Sequence, residues 1–353
     1  MINKLLLIAS ICLSLLANAQ DLLPIRGLAI AVPDKQNIDR FVKFIHEELA
    51  PRKINTLVLR VDYNFEYKSH PELRESNALS QAEVNKLVAA CRQHGISIIP
   101  QINLLGHQSW ESELGKLLKV YPQFDETPAI IMPSTYKWPN DDELYCKSYC
   151  PLHPEVHQVV FELMDEIVSA FQADAFHAGM DEVFYLGDDA CPRCKGKNKA
   201  ELFAGELTKI RNHLALKNKK LWIWGDRLLD GKTTGLGMWE ASMNDTHPAI
   251  DLIPKDILIC DWHYERAEPT AAYFALKGFD VATSSWRKGT VAREQMDFLE
   301  KLRKNANPET ANHIKGMVHT SWSSAGNFLD RFYAPMDENK EDDAVCFKML
   351  FGL

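Results

Sequence analysis

Short apolar, β-branched runs recur along the chain, each followed by residues whose apolar positions have helical spacing. The runs cover residues 26–32, 56–61, 96–102, 175–180, 221–225, 257–261, 281–285 and 316–320. Ile38, Phe41, Val42, Ile45 and Leu49 mark one amphipathic helix, and Val159, Val160, Leu163, Ile167 and Phe171 mark another. Ser80 and Glu83 are spaced as a capping box before Val84, Leu87, Val88 and Cys91. A last helix is expected from about Asp342 to Leu353. Eight strands with helices between them predict a (β/α)8 TIM barrel, an α/β fold. The alternative is a doubly wound open sheet, which favours a glycine-rich phosphate loop after the first strand. Here Arg26-Gly27-Leu28-Ala29-Ile30 runs into Val32-Pro33-Asp34 without one. No internal repeat or low-complexity linker interrupts the pattern, so one domain is expected. The third connection, about residues 103–155, is much longer than the others and should lie over the active face of a barrel.

The first stretch breaks the alternation. Lys4 precedes an apolar run over residues 5–16, and Ala17-Asn18-Ala19 follows as a small-x-small site. That order reads as a secretory signal peptide over residues 1–19, with a barrel over 20–353. Removing 19 of the 353 residues leaves 334. No later run is long enough to span a bilayer. The expectation is an exported protein, periplasmic or secreted.

Composition narrows the partners. Forty Lys and Arg against 48 Asp and Glu give a net charge of −8, with 46% hydrophobic and 25% charged residues. This is a globular composition, and the negative balance argues against nonspecific nucleic-acid binding.

Chemistry in a barrel belongs at the carboxyl ends of the strands, and polar and aromatic residues gather there. The second strand ends in Arg60-Val61-Asp62-Tyr63, and the third leads to Gly106-His107-Gln108-Ser109-Trp110. The fourth ends in His177-Ala178-Gly179-Met180-Asp181-Glu182, the fifth in Trp224-Gly225-Asp226, and the sixth in Asp261-Trp262-His263-Tyr264. The last two end at Trp286 and Trp322. Five tryptophans at strand ends (Trp110, Trp224, Trp262, Trp286 and Trp322) suit the apolar faces of sugar rings, and plugging the barrel top is the lesser alternative. Asp181 and Glu182 are the sharpest feature. Adjacent carboxylates just past a strand are expected to point different ways, and burial with mutual repulsion should raise at least one of their pKa values. A protonated acid beside an ionised neighbour is the arrangement that acid catalysis needs.

His177-Ala178-Gly179-Met180-Asp181-Glu182-Val183 resembles the H-x-G-x-D-E-apolar signature of family 20 glycoside hydrolases, the β-N-acetylhexosaminidases. The segment from Ile99-Pro100-Gln101-Ile102-Asn103 to Gly106-His107 is similar to that family's third-strand segment, and Trp224-Gly225-Asp226 to its fifth-strand Trp-x-Asp. The continuation Val183-Phe184-Tyr185-Leu186-Gly187 looks closest to the hexosaminidase D branch. The resemblance implies an exo-acting retaining glycosidase that releases terminal N-acetylhexosamine, with the substrate's own acetamido oxygen as nucleophile. It implies Glu182 as general acid and then base, and Asp181 as partner of the acetamido N–H. It also implies His177 and His107 as support, and Tyr264 as donor to the acetamido carbonyl. Arg26, Trp224, Asp226, Trp262, Trp286 and Trp322 would bind substrate. No cofactor is required, and the partner is a glycan or glycoconjugate. Departures touch hydroxyl recognition: Ala31 and Asp34 stand near the end of the first strand, and Trp322-Ser323-Ser324 replaces a Trp-x-Glu. The accessory domain of larger members is expected to be missing.

Cys91, Cys260 and Cys346 fall in strand or helix patterns and should be buried thiols. Cys146, Cys150, Cys191 and Cys194 are spaced differently, in two neighbouring loops. Cys191-Pro192-Arg193-Cys194 with Lys195-Gly196 resembles a zinc knuckle, so the four thiolates form a candidate structural zinc site. Export favours disulfides instead. A metal-dependent hydrolase using His107, His177, Asp181 and Glu182 is a further possibility, though no HExxH-type spacing supports it. A non-catalytic sugar-binding barrel is another, and the Asp181-Glu182 pair argues against it.

Overall fold

Every apolar run named above becomes a strand. The structure is a computed structural model that describes residues 23–140 and 144–352. The segment read as a signal peptide, residues 1–19, lies outside the described residues. The strands are β1 (Ile25–Ala31), β2 (Thr56–Arg60), β3 (Ser97–Leu104), β4 (Ala175–Gly179), β5 (Lys220–Trp224), β6 (Leu258–Trp262), β7 (Asp280–Ser285) and β8 (Ile314–Thr320). They pair in parallel, each with its neighbours in sequence, and β8 closes onto β1. The result is the expected (β/α)8 barrel.

Side chains of a strand alternate between its faces, and here the alternation makes two cores. Ala29, Val58, Ile99, Ala175, Trp222, Trp224, Leu258, Cys260, Trp262, Ala282 and Val318, drawn from all eight strands, fill the barrel interior. The intervening residues, such as Leu28, Leu57, Leu59, Phe176, Ala178, Ile223 and Ile259, join the larger core beneath the helices. Small residues on several strands make room for the tryptophans of β5 and β6, so the barrel is a packed core and not a pore.

The outer layer includes α1 (Ile38–Phe44), α2 (Gln81–Gln93), α3 (Val156–Ala170), α4 (Lys199–Ala215), α5 (Thr270–Leu276), α6 (Gly289–Asn305) and α7 (Asp343–Leu350). The capping box forms at α2: Ser80 Oγ accepts the Glu83 N–H, and the Glu83 carboxylate accepts the Ser80 N–H at 2.7 Å. After α1 the chain continues in a wider π-type turn, Ile45–Leu49, which keeps Ile45 and Leu49 buried. The β5–β6 connection has only short helical pieces, Gly231–Thr234 and Gly237–Glu240 among them. No helix among the described residues is long and apolar enough to cross a membrane.

The long third connection folds over the mouth. It makes a small hairpin (Ser109–Trp110 with Glu113–Leu114) and a bridge between Asp125 and Tyr149. Buried Lys147 ties it together, donating to Asp125 Oδ2 at 2.6 Å and the Thr127 carbonyl at 2.8 Å.

Candidate active site

β4 ends in a sharp turn. Gly179, Met180 and Glu182 have φ of +67°, +64° and +48°. Left-handed backbone at non-glycine residues costs roughly 1–3 kcal/mol each and persists only where the surroundings enforce it. The turn breaks the strand's alternation. Asp181 Oδ2 and Glu182 Oε2 both converge on His107 Nε2, at 3.2 and 3.3 Å. Neighbouring carboxylates were expected to point apart; that holds for extended backbone, and this backbone is not extended. His107 arrives from the β3 loop through Gly106. A Cβ at Gly106 would lie 2.9 Å from the Asp181 carbonyl oxygen and 3.0 Å from Val183 Cγ2. Only glycine lets the two loops close to this distance.

Two of the carboxyl groups that meet here are shifted in opposite directions. Burial opposes ionisation of Asp181, but His107 outweighs it and holds the carboxyl below its ordinary value. The expected rise therefore does not fall on Asp181. Burial also works against a charged His107, but Cys146 and Asp181 together hold the ring well above its ordinary value. Both neighbours favour the charged form of the ring. Burial pushes Asp226 up to about 6, against the pull of Arg227 and with the push of Asp181 and Glu182. Asp181 Oδ1 is buried and has no hydrogen-bond partner.

Asp226 was expected to bind substrate; in the structure its contacts are with the protein. Its Oδ2 accepts the Glu182 N–H at 2.9 Å and Arg227 Nε at 2.7 Å, while Oδ1 accepts Trp262 Nε1 at 3.1 Å. Both oxygens serve the protein, and the residue fixes the Glu182 backbone from below. Arg227 in turn is fully buried and donates to the carbonyls of Met238, Trp239 and Ala241.

His177 points into the barrel under the turn. Its Nδ1 accepts the Gly179 N–H at 3.0 Å, and its ring packs on Trp224 at 4.6 Å. Burial lowers its pKa to about 3, with Asp181 opposing, so the ring is neutral. It holds the left-handed turn and makes no direct bond to either carboxylate.

Arg26 is not at the mouth. It is the second residue of β1, at the opposite end of the barrel. It shares the outward parity of Leu28 and Ile30. Its guanidinium donates to the Arg52 carbonyl at 3.2 Å and lies 4.9 Å from the Phe351 ring. An arginine that does stand at the mouth is Arg60, the last residue of β2. It donates to the Ser321 carbonyl at 2.9 Å and sits 4.8 Å from the Trp322 ring.

Four of the five expected tryptophans come together around Tyr264. Trp262 and Tyr264 lie 5.1 Å apart, Tyr264 and Trp286 5.4 Å, and Trp224 and Trp322 5.7 Å. Trp322 Nε1 donates to the Tyr264 hydroxyl oxygen at 3.1 Å. Thr320 Oγ1 lies 3.3 Å from the same oxygen and donates its own proton to the Ser285 carbonyl at 2.8 Å. The Tyr264 proton therefore has only a long contact until a better acceptor arrives.

A second aromatic group joins the expected Trp110 to residues that the sequence did not single out. Tyr145, hydrogen-bonded to Glu182, has Trp239 at 4.8 Å, Phe184 at 5.5 Å, Trp110 at 5.6 Å and Trp138 at 6.3 Å. These residues come from three connections without periodicity, so sequence pattern had no means of joining them.

Two groups among the described residues offer metal-ligand atoms within 4.8 Å of one another. One is His107, Asp181 and Glu182; His177, expected with them, is engaged at the turn. The other is Glu126, Cys150, Cys191 and Cys194. It differs from the expected four cysteines, because Cys146 turns to the Glu182 carbonyl at 4.0 Å. The Asp125–Tyr149 bridge puts Glu126 across from Ser148, with Glu126 N–H on the Ser148 carbonyl at 3.0 Å, and so beside Cys150. Cys91, Cys260 and Cys346 are buried free thiols, as expected.

Comparison with known proteins places this arrangement. The model of "Glycosyl hydrolase family 20, catalytic domain" matches residues 36–327. A beta-hexosaminidase of Emericella nidulans is 24% identical over 348 residues, which is 88% of this chain and 52% of the relative. Flavobacterium johnsoniae chitobiase superposes with a TM-score of 0.62 at 19% identity, over 93% of this chain and 50% of that one. The exo beta-N-acetylglucosaminidase from Vibrio harveyi, solved with N-acetylglucosamine, gives 0.62 at 16% identity, over 93% and 54%. This chain thus spans about half the length of each.

Proposed function

The chain belongs to glycosyl hydrolase family 20, and from that premise we propose that it is an exo-acting retaining β-N-acetylhexosaminidase. Its substrate would be a glycan or glycoconjugate ending in β-linked GlcNAc or GalNAc, and its nucleophile the substrate's own acetamido oxygen. One observation carries the reading: an ionised Asp181 with a buried, unpartnered Oδ1 shares a site with a Tyr264 proton that lacks a good acceptor. An acetamido group needs one acceptor for its N–H, one donor for its carbonyl and an apolar wall for its methyl. Asp181, Tyr264 and the Trp224–Trp322 pair supply these in turn.

Glu182 protonates the glycosidic oxygen while the acetamido oxygen, aligned by Tyr264, attacks the anomeric carbon and expels the alcohol. The product is an oxazolinium ion, whose positive charge faces the Asp181 carboxylate. Glu182, now ionised, takes a proton from water as that water attacks the anomeric carbon and opens the ring. Two inversions give retention, and Glu182 ends protonated, as it began, with a proton taken from water. His107 holds both carboxylates within reach of one cation, and Tyr145 fixes Glu182 from the other side. The residues 1–19 support action outside the cytoplasm, periplasmic or secreted.

Chromogenic β-GlcNAc, β-GalNAc and β-glucoside test the proposal. Only the N-acetyl sugars should be hydrolysed, and a stable thiazoline mimic of the oxazolinium should inhibit competitively. Glu182→Gln should lower kcat/KM about 10²–10⁴-fold, least for the best leaving groups. Equal hydrolysis of the glucoside would remove substrate assistance. Full activity of the Glu182→Gln variant would remove the acid assignment, and binding without turnover by the wild type would leave a sugar-binding barrel.

A further inference from the structure

Beside the mouth, but outside the catalytic residues, four ligand-type side chains converge from two loops. Glu126 and Cys150 come from the β3 connection, and Cys191 and Cys194 from the β4 connection. All four are buried, with ligand atoms mutually within 4.8 Å. Cys150 Sγ lies 3.5 Å from both Cys191 Sγ and Cys194 Sγ. Zinc–sulfur bonds of about 2.3 Å at the tetrahedral angle set sulfurs about 3.8 Å apart, so the thiols already stand close to that spacing. Glu126 is oriented by its other oxygen. Oε1 accepts the N–H groups of Gly187 and Asp188 at 2.8 and 3.2 Å, whereas Oε2 is buried without a partner. A buried carboxylate oxygen left unpaired is costly unless a cation or donor meets it.

We propose that Glu126, Cys150, Cys191 and Cys194 bind one zinc ion in a closed structural site. Three sulfurs select a borderline-soft ion over magnesium or calcium. Four protein ligands, all buried, leave no open coordination position, which separates the site from a catalytic one. On binding, the three thiols release their protons to solvent and zinc takes the thiolates. Three thiolates and a carboxylate exceed the ion's charge by two. Backbone N–H groups compensate: Leu152 donates to the Cys150 sulfur, and Arg193 and Cys194 donate to that of Cys191. Exposed Arg193, Lys195 and Lys197 flank the cluster. The ion would lock the loop carrying Tyr145 to the loop that follows Glu182 and Phe184, and so fix the wall around Glu182. The site stands on its own ligands and does not depend on the proposed glycosidase activity.

The test reads metal, not turnover. Elemental analysis of the purified full chain, handled under reducing conditions, should find about one zinc per chain. Reconstitution with cobalt(II) should give thiolate-to-cobalt charge-transfer absorption and the visible bands of a tetrahedral ion. Cys194→Ser should abolish these bands. Glu126→Gln should release zinc to a chelator that leaves the wild type loaded, and Cys146→Ser should keep full stoichiometry. Wild-type protein without zinc and without the cobalt bands overturns the proposal, whatever the variants do. A Cys150–Cys191 or Cys150–Cys194 disulfide mapped in the native protein overturns it as well. Loss of metal in Cys146→Ser with retention in Glu126→Gln overturns the ligand set.

Discussion

Asp226 shows how much one side chain can hold in place through protein contacts alone. Its carboxylate accepts from Glu182 N–H and Arg227 Nε on one side and from Trp262 Nε1 on the other. An asparagine has the same shape but only one accepting end. Turned either way, its NH2 faces a donor: Trp262 in one orientation, or Glu182 and Arg227 in the other. Asp226→Asn should therefore lose about 1–3 kcal/mol of stability through the unpaired buried donor. It should also lower kcat about 100-fold, since misplacing an acid by about 1 Å costs that much, while KM should stay close to wild type because both oxygens are engaged within the protein. Denaturant melts and steady-state kinetics on the same preparation check both; an unchanged kcat would show that Glu182 is held by other means. The Trp-Gly-Asp string made Asp226 legible as part of the site, but not its role, which depends on which donors a fold brings to it. Arg26 shows the converse. Its distance from the end of β1 and its shared parity with Leu28 and Ile30 were both in the sequence, and they place it outside the mouth. The same two criteria select Arg60, which ends β2 on the inward parity of Val58.

Among the elements, the weakest-looking is the β5–β6 connection, which replaces a long helix with short turns and still delivers Arg227's carbonyl partners to the site. His263 secures it. Its Nδ1 meets Glu240 at 2.7 Å, at the end of the short helix Gly237–Glu240, and its Nε2 meets Asp261 of β6 at 3.1 Å. Burial disfavours the charged ring, but Asp261 and Glu240 prevail and raise its pKa to about 10. The sign follows from the direction. A histidine whose pKa rises on folding contributes stability fully below its unfolded value of about 6.5, and that contribution fades as pH climbs through the folded value. Wild-type stability should thus decline between roughly pH 6.5 and 10, relative to His263→Gln, which has no such proton to lose. Melting temperatures of both proteins across that range test it, and parallel curves would refute the ion pair. The strands and the helices between them were legible because period-2 and period-3.6 patterns report burial directly. The third connection was not. Its order comes from the Asp125–Tyr149 bridge and the buried Lys147, which pair residues far apart in sequence. For that reason Glu126, and not Cys146, stands with the three cysteines.

At the scale of the whole molecule, the barrel was legible because eight apolar runs in one chain have few other ways to close. The way its interior is filled was not. The inward set joins three tryptophans, Trp222, Trp224 and Trp262, to alanines on β1, β4 and β7. Each bulky ring occupies space that small residues on other strands leave open, so no strand has a core of its own. Trp222 lies in register with His177 of β4 and Leu258 of β6, beneath the turn that carries Asp181 and Glu182. Trp222→Ala should open a cavity that the closed sheet cannot collapse around, at a cost of about 3–5 kcal/mol. Since the interior is held in common, the loss should be felt by all strands at once. Far-ultraviolet circular dichroism and tryptophan fluorescence should shift their denaturation midpoints together, without an intermediate. Leu216, 83% exposed beyond α4, is the control: Leu216→Ala should change stability by less than about 0.5 kcal/mol. Separate transitions in Trp222→Ala, with one probe moving ahead of the other, would mean that part of the barrel unfolds independently. Catalysis would then rest on a subset of strands, and the tryptophans would be local fillers instead of a shared core.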